Sequence, residues 1–339
     1  MAALRAGLIG AGMMGRNHAR VLGSLDGVEL VGIVDPNGDQ HGVAGGRPVF
    51  RTVAELIEHG VDYAMVAAPT GLHLEVGTQL AESGVHAIIE KPLAESVEKA
   101  EALAKVFADN GLVGGVGHIE RYNPALQSAR KRIEAGDLGD IYQVVTRRQG
   151  PFPGRIADVG VIMDLATHDI DLTAWVTQQT YETIAAQTAH RSGRPHEDMV
   201  AATGTLRSGT VVNHLVNWLS PQKERTTVIT GEKGTLVADT LTADLTFYEN
   251  GKVATTWDGV SQFRGVSEGD VVRFAIPKPE PLRVEHERFR DALLGKEADI
   301  VSLEQGLATV RVAAACLESA RSMASVQLSD NSGGDNASA

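Results

Sequence analysis

The 339-residue sequence holds a single cysteine, Cys316. One thiol excludes an intrachain disulfide framework and a cysteine-based metal centre, and it fits a chain kept in a reducing compartment. Basic residues are outnumbered, 31 Lys and Arg against 43 Asp and Glu, giving a formal net charge of −12. That balance argues against a nucleic-acid-binding stripe, and an anionic ligand would need local basic groups. Long apolar runs are missing as well: none approaches the roughly 18 to 20 residues that cross a bilayer. The apolar opening segment is interrupted by Gly7, Gly10 and Gly12 and lacks a small-residue cleavage pattern, so it suits a strand and a tight turn better than a signal peptide. A cytoplasmic protein with no nucleic-acid and no membrane partner is expected.

Core material is plentiful, 43% of residues being apolar, and the length favours two domains over one. Up to about residue 118, short apolar runs (5–9, 28–34, 62–67, 85–89 and 112–116) alternate with helical patterns, the mark of βαβ units on a parallel sheet. Thr52-Val53-Ala54-Glu55 reads as a capping box opening one helix, and residues 94–108 carry the spacing of another. Residues 38–48 hold four glycines and little helical pattern, so that crossover should be short or a loop. Asn123-Pro124 then starts a helix that Gly136 ends, and a further helix spans about 162–176. Turn signals at Ser208-Gly209, Gly231-Glu232-Lys233-Gly234 and Asn250-Gly251 indicate an antiparallel sheet, followed by helices over 284–294 and 303–323. The fold class expected is α/β plus α+β: a Rossmann parallel sheet over 1–119, a large open, mainly antiparallel sheet over 120–328, and a polar, disordered tail over 329–339.

Gly10-Ala11-Gly12-Met13-Met14-Gly15 follows the first strand and opens a helix, the context that a dinucleotide fingerprint needs. Gly10 permits the tight turn, Gly12 lets backbone approach a pyrophosphate, and Gly15 allows close helix-strand packing, with the helix dipole facing the anion. Asp35, 20 residues after Gly15 at the end of the second strand, suits a ribose 2′-hydroxyl and repels a 2′-phosphate, which favours NAD over NADP. The turn Ala67-Ala68-Pro69-Thr70 reads as a strand-to-helix cap and as a floor for the nicotinamide ribose, with His73 a further cofactor contact or simply part of the turn. Glu90-Lys91-Pro92 leaves the strand 85–89 at the sheet edge where ligands bind, so Lys91 is a candidate for chemistry.

In the second half, a helix through Asp164 would put Asp164, His168, Asp171 and Trp175 on one face. A carboxylate one turn from an imidazole fixes its tautomer and tunes its pKa, as a general base requires, although such pairs also serve as surface contacts. The surrounding acids raise the alternative of a metal site, but no His-x-x-x-His or cysteine motif supports one, and no metal is expected.

Together, Gly10-Ala11-Gly12-Met13-Met14-Gly15, Ala68-Pro69-Thr70 with His73, Glu90-Lys91-Pro92, Gly117-His118 with Arg121-Tyr122-Asn123-Pro124, and Asp164 with His168 resemble the Gfo/Idh/MocA oxidoreductases, in order and over nearly the whole chain. The resemblance implies a catalytic set of Lys91, Asp164 and His168, with Met13, Met14 and Glu90 joining the cofactor contacts, and a second domain used for homodimer or homotetramer assembly. The run from Gly150 to His168 is similar to the subgroup that oxidises the 3-hydroxyl of UDP-N-acetylglucosamine, a nucleotide-sugar substrate. Arg121, Arg147, Arg148 and Arg155, with Asn123 nearby, would then meet a substrate diphosphate; alternatively these arginines are solvated or pair with Glu120 and Asp158. Rival readings are a myo-inositol 2-dehydrogenase or simple-sugar dehydrogenase with the same catalytic set, and a non-catalytic NAD(H)-binding sensor.

Overall fold

A computed structural model describes residues 2–154, 159–251 and 268–328. The first sheet is built from β1 (Leu4–Ile9), β2 (Val28–Val34), β3 (Val49–Phe50), β4 (Tyr63–Val66), β5 (His86–Glu90) and β6 (Gly114–Gly117). Their order is β3-β2-β1-β4-β5-β6, and every pairing is parallel. Helices α1 (Met13–Leu22), α2 (Val53–His59), α3 (His73–Glu82) and α4 (Val97–Asp109) cross between strands. With both faces covered, the strands carry no polar alternation; all four residues of β4 are buried. The capping box at Thr52 and Glu55 is formed. Between β2 and β3 no helix forms, and the two-residue β3, in a segment too short to show a period, was invisible to pattern reading.

The second sheet has nine strands: β7 (Ile141–Pro151), β8 (Tyr181–Ala189), β9 (Met199–Leu206), β10 (Val211–Asn217), β11 (Leu219–Gly231), β12 (Gly234–Asp239), β13 (Asp244–Asn250), β14 (Glu268–Arg273) and β15 (Val326–Gln327). Its order is β14-β13-β12-β11-β7-β10-β9-β8-β15, antiparallel except where β7 pairs with β10. The turns at 208–209 and 231–234 join neighbouring strands; residues 252–267, just after the turn signal at Asn250-Gly251, lie outside the described residues, as does the tail from 329. Alternation along these strands divides residues between two faces. Val144, Thr146 and Arg148 of β7 are buried on the inner face, whereas Arg147 is exposed on the outer one.

Helices α5 (Pro124–Glu134), α6 (Thr167–Thr177), α7 (Pro281–Leu293) and α8 (Leu303–Ser322) complete the chain. Asn123 caps α5 by accepting from the Ala125 amide at 3.0 Å, with Pro124 in the first turn. Helix α7 returns to the first sheet, where Phe289 packs against Tyr63 with ring centroids 5.5 Å apart. Helix α8 approaches β6 closely enough that a Cβ on Gly114 would meet Leu303 at 2.3 Å. No helix among the described residues is long and apolar enough to cross a membrane.

Candidate active site

The carboxyl ends of β1, β4, β5 and β6 converge where the strand order reverses between β1 and β4, the position at which open α/β sheets take their ligands. Gly10 occupies φ +99°, a conformation that side chains rarely adopt, and a Cβ there would lie 2.5 Å from the Ala67 carbonyl oxygen. A Cβ on Gly15 would meet the Gly10 carbonyl oxygen at 2.0 Å, so this glycine serves helix-strand packing. Around Gly12 nothing lies within 4 Å of that position, which leaves the N-terminus of α1 open on the ligand side. Gly12 is also the N-cap and supplies no side-chain acceptor, and no acidic residue stands in the first turn, so the helix end suits an incoming anion. Met13 is exposed there and Met14 partly so. Asp35 accepts from the amides of Ala11 at 3.0 Å and Asn37 at 2.9 Å, which ties the carboxylate at the end of β2 to the glycine loop. This cradle fits a dinucleotide.

Pro69 and Thr70 begin a 3₁₀ turn before α3 at the same edge. His73 lies behind it, fully enclosed: its Nε2 faces the Ala68 carbonyl at 3.0 Å and its Nδ1 the carbonyls of Pro92 and Leu93 at 3.1 and 3.2 Å. The ring therefore bridges the turn after β4 to the turn after β5. The peptide bond Lys91-Pro92 is cis. Glu90 binds His18 Nε2 at 2.9 Å through Oε1 and the Lys91 amide at 3.1 Å through Oε2, and His18 Nδ1 meets His286 Nε2 at 2.9 Å. Sequence reading missed this buried line because its members come from α1, β5 and α7.

Lys91 crosses to the second half of the chain. Its Nζ donates to the carbonyl oxygen and to Oδ1 of Asp164, both at 2.7 Å. An ammonium has three donors, and two are used here, so one remains for a ligand oxygen. Asp164 belongs to a π-helical turn, Ile162–Ala166, that runs straight into α6. The wider turn alters the spacing expected of a plain α-helix, and the four residues do not serve one centre. Asp164 meets Lys91, Asp171 meets Arg121, and Trp175 lies under the Arg130 guanidinium at 4.6 Å.

His168 is partly buried, and its Nδ1 is enclosed without a hydrogen-bond partner. Burial, joined by the positive charges of Lys91, Arg148 and Arg225, holds its pKa well below the ordinary imidazole value. His168 is thus neutral at neutral pH. His118, at the end of β6, is likewise lowered by burial, against the pull of Asp171.

The expected substrate-binding residues are placed as follows. Arg121 is buried and bidentate to Asp171, at 2.8 and 2.6 Å, with its remaining nitrogen on Gln305 at 2.7 Å. Asn123 is engaged as the cap of α5 and through its amide to the Thr240 carbonyl at 3.0 Å. Arg147 is on the outer sheet face, 3.4 Å from Glu224. Arg148 is buried between Asp169 at 2.7 Å and Glu120 at 2.8 Å, so its partner Glu120 is the one the alternative reading names. Arg155, and with it Asp158, lies outside the described residues.

A Rossmann crevice whose far wall is completed by ionisable side chains from the π turn and helix α6 is compatible with a dinucleotide-dependent oxidoreductase. The chain belongs to the Gfo/Idh/MocA family: residues 4–118 match the oxidoreductase family's NAD-binding Rossmann fold, and residues 126–237 match the GFO/IDH/MocA C-terminal domain. It is an NAD-dependent dehydrogenase by family. The chain is 31% identical over 319 residues to UDP-N-acetylglucosamine 3-dehydrogenase from Acidithiobacillus ferrooxidans, covering 93% of this chain and 96% of that protein. A solved structure of that enzyme, GnnA, superposes with a TM-score of 0.84 at 27% identity, covering 95% of this chain and 99% of the other. The WlbA dehydrogenase from Bordetella pertussis, solved with NADH and UDP-GlcNAcA, superposes with a TM-score of 0.78 at 26% identity, covering 96% and 99%. A shorter match, 31% over 183 residues, links 51% of the chain to 54% of scyllo-inositol 2-dehydrogenase (NAD(+)) from Bacillus subtilis.

Proposed function

We propose that the protein oxidises a secondary ring hydroxyl of a nucleotide sugar, the 3-hydroxyl of UDP-N-acetylglucosamine being the best candidate. The observation that carries this reading is the Lys91 ammonium held at 2.7 Å by Asp164 beside a neutral imidazole, at the rim of the dinucleotide cradle. The substrate hydroxyl oxygen takes the remaining Lys91 proton donor, and His168 accepts the hydroxyl proton. As the alkoxide develops, the Lys91 charge stabilises it, and Asp164 fixes the ammonium in place. Bound NAD supplies the hydride acceptor for the carbinol carbon. Gly12 and the open end of α1 hold the pyrophosphate, Asp35 the ribose, and Pro69 and Thr70 the nicotinamide side. The match to UDP-N-acetylglucosamine 3-dehydrogenase over almost the full chain supports the choice of substrate. The half-length match to an inositol dehydrogenase favours myo-inositol or a simple sugar as the second reading.

NADH formation with UDP-N-acetylglucosamine against myo-inositol, each with NAD, separates the two. Turnover of the nucleotide sugar is expected; exclusive turnover of inositol would select the second reading, and silence toward a wide sugar panel would revive the sensor. The outer sheet face exposes Met199, Val211, Leu215, Tyr248 and Val271, apolar residues suited to a second copy of the chain. Light scattering would report a homodimer or homotetramer.

A further inference from the structure

Of the described arginines around the site, one has no ion-pair partner among the described residues. Arg225 lies on β11 directly opposite Arg148 of β7, in the same register that sets Thr227 against Thr146 and Ile229 against Val144. Directly opposed residues share a sheet face, so the Arg225 side chain projects from the inner face, the face that carries the site. Arg148 there is neutralised by Asp169 and Glu120, and Arg121 by Asp171. No carboxylate comes within ion-pair distance of Arg225 among the described residues, and its Nη1 is enclosed with no hydrogen-bond partner. Burial, together with the neighbouring Arg148 charge, lowers its pKa to about 10. Its charge also acts on Asp164 and His168, which sets it beside the proposed reaction centre. A partly desolvated guanidinium is costly unless paired, and Arg225 has no such pair among the described residues.

We propose that Arg225 is the anion receptor of the substrate site: it takes a phosphate or carboxylate oxygen of the substrate by charge-assisted hydrogen bonds. The inference rests on Lys91, Asp164 and His168 marking the oxidation site, and it narrows the substrate class to acidic sugars and sugar phosphates. A guanidinium offers planar paired donors that match either oxyanion. In an acidic protein this cation supplies local positive charge of the kind an anionic substrate needs.

Binding and turnover test it separately. Calorimetric titration of the NAD-loaded protein with UDP, N-acetylglucosamine 1-phosphate and glucuronate identifies which oxyanion is held. Arg225→Gln should weaken the bound anion at least about tenfold and raise KM for the matching substrate by a similar factor, with a much smaller change in kcat. Arg225→Lys should restore part of the loss, and unchanged thermal unfolding of both variants would separate a lost contact from a lost fold. Preference for UDP or the sugar phosphate assigns the receptor to a phosphate, and preference for glucuronate to a ring carboxylate. Wild-type protein that binds none of the three anions, or an Arg225→Gln variant that binds them equally well, overturns the proposal. Anion binding lost in Arg225→Gln while Lys91→Ala leaves sugar oxidation intact would instead overturn the reaction-centre assignment and keep the receptor.

Discussion

Lys91 holds Asp164 by two hydrogen bonds of equal length, one to its side chain and one to its main chain. The lysine comes from the first sheet and the aspartate from the turn preceding α6, so each half of the chain fixes a side chain of the other.

Lys91→Ala and His168→Asn are expected to lower kcat by about 10² to 10⁴-fold, the range typical of a lost acid-base or alkoxide-stabilising group. NAD affinity, followed by quenching of protein fluorescence, should change little for His168→Asn, which is not among the proposed cofactor contacts. Near wild-type turnover in both variants would remove the assigned roles.

The glycine loop offers a contrast between binding and folding. Gly12→Ala adds a methyl where nothing stands within 4 Å, so thermal stability should hold while NAD affinity falls by roughly tenfold or more. Gly15→Ala forces a methyl to 2.0 Å from the Gly10 carbonyl, and urea unfolding should show a loss of about 2 kcal/mol or more.

Asp35→Ser should raise the NADP-to-NAD preference by at least about tenfold in kcat/KM, because it removes a negative charge that repels a 2′-phosphate. The serine also gives up an acceptor for the Ala11 amide, so KM for NAD should rise.

Acid should destabilise the fold through its buried imidazoles. Burial lowers His214, bonded to Thr146 and Tyr181 at 2.8 Å, to about 4 from an ordinary 6.5. Between those values the unfolded chain binds a proton that the folded one refuses, so stability is complete above pH 6.5 and is lost as pH falls toward 4. One such group accounts for about 3 kcal/mol, and His168 and His286 act in the same sense. Urea unfolding across this pH range should show the decline, and His214→Gln should flatten part of it.

Local chemistry made the cofactor loop and Lys91 legible: a glycine motif between strand and helix, and a charged tripeptide at a strand exit, carry their meaning within a few residues. The fates of the arginines were not local. Arg147 and Arg148 are adjacent, yet strand alternation sends one outward and the other into a buried ion pair with Asp169. Sequence reading has Arg121 meet a diphosphate or pair with Glu120 or Asp158, and its actual partner, Asp171, is 50 residues away. Arg225 shares its face with the buried Thr227 and Ile229, and only the register with β7 shows what it faces. The π turn at Asp164 has no pattern of its own, and its effect on side-chain direction appears only in three dimensions.

The hydrogen bond between His18 and His286 spans 268 residues, and both rings are fully enclosed. His18 lies on α1, the helix that the glycine loop opens. During synthesis that helix emerges early, but its rear contact does not exist until α7 has left the ribosome. The first half therefore lacks this contact until late in synthesis, and a fragment ending near residue 119 should expose the surface that α7 covers.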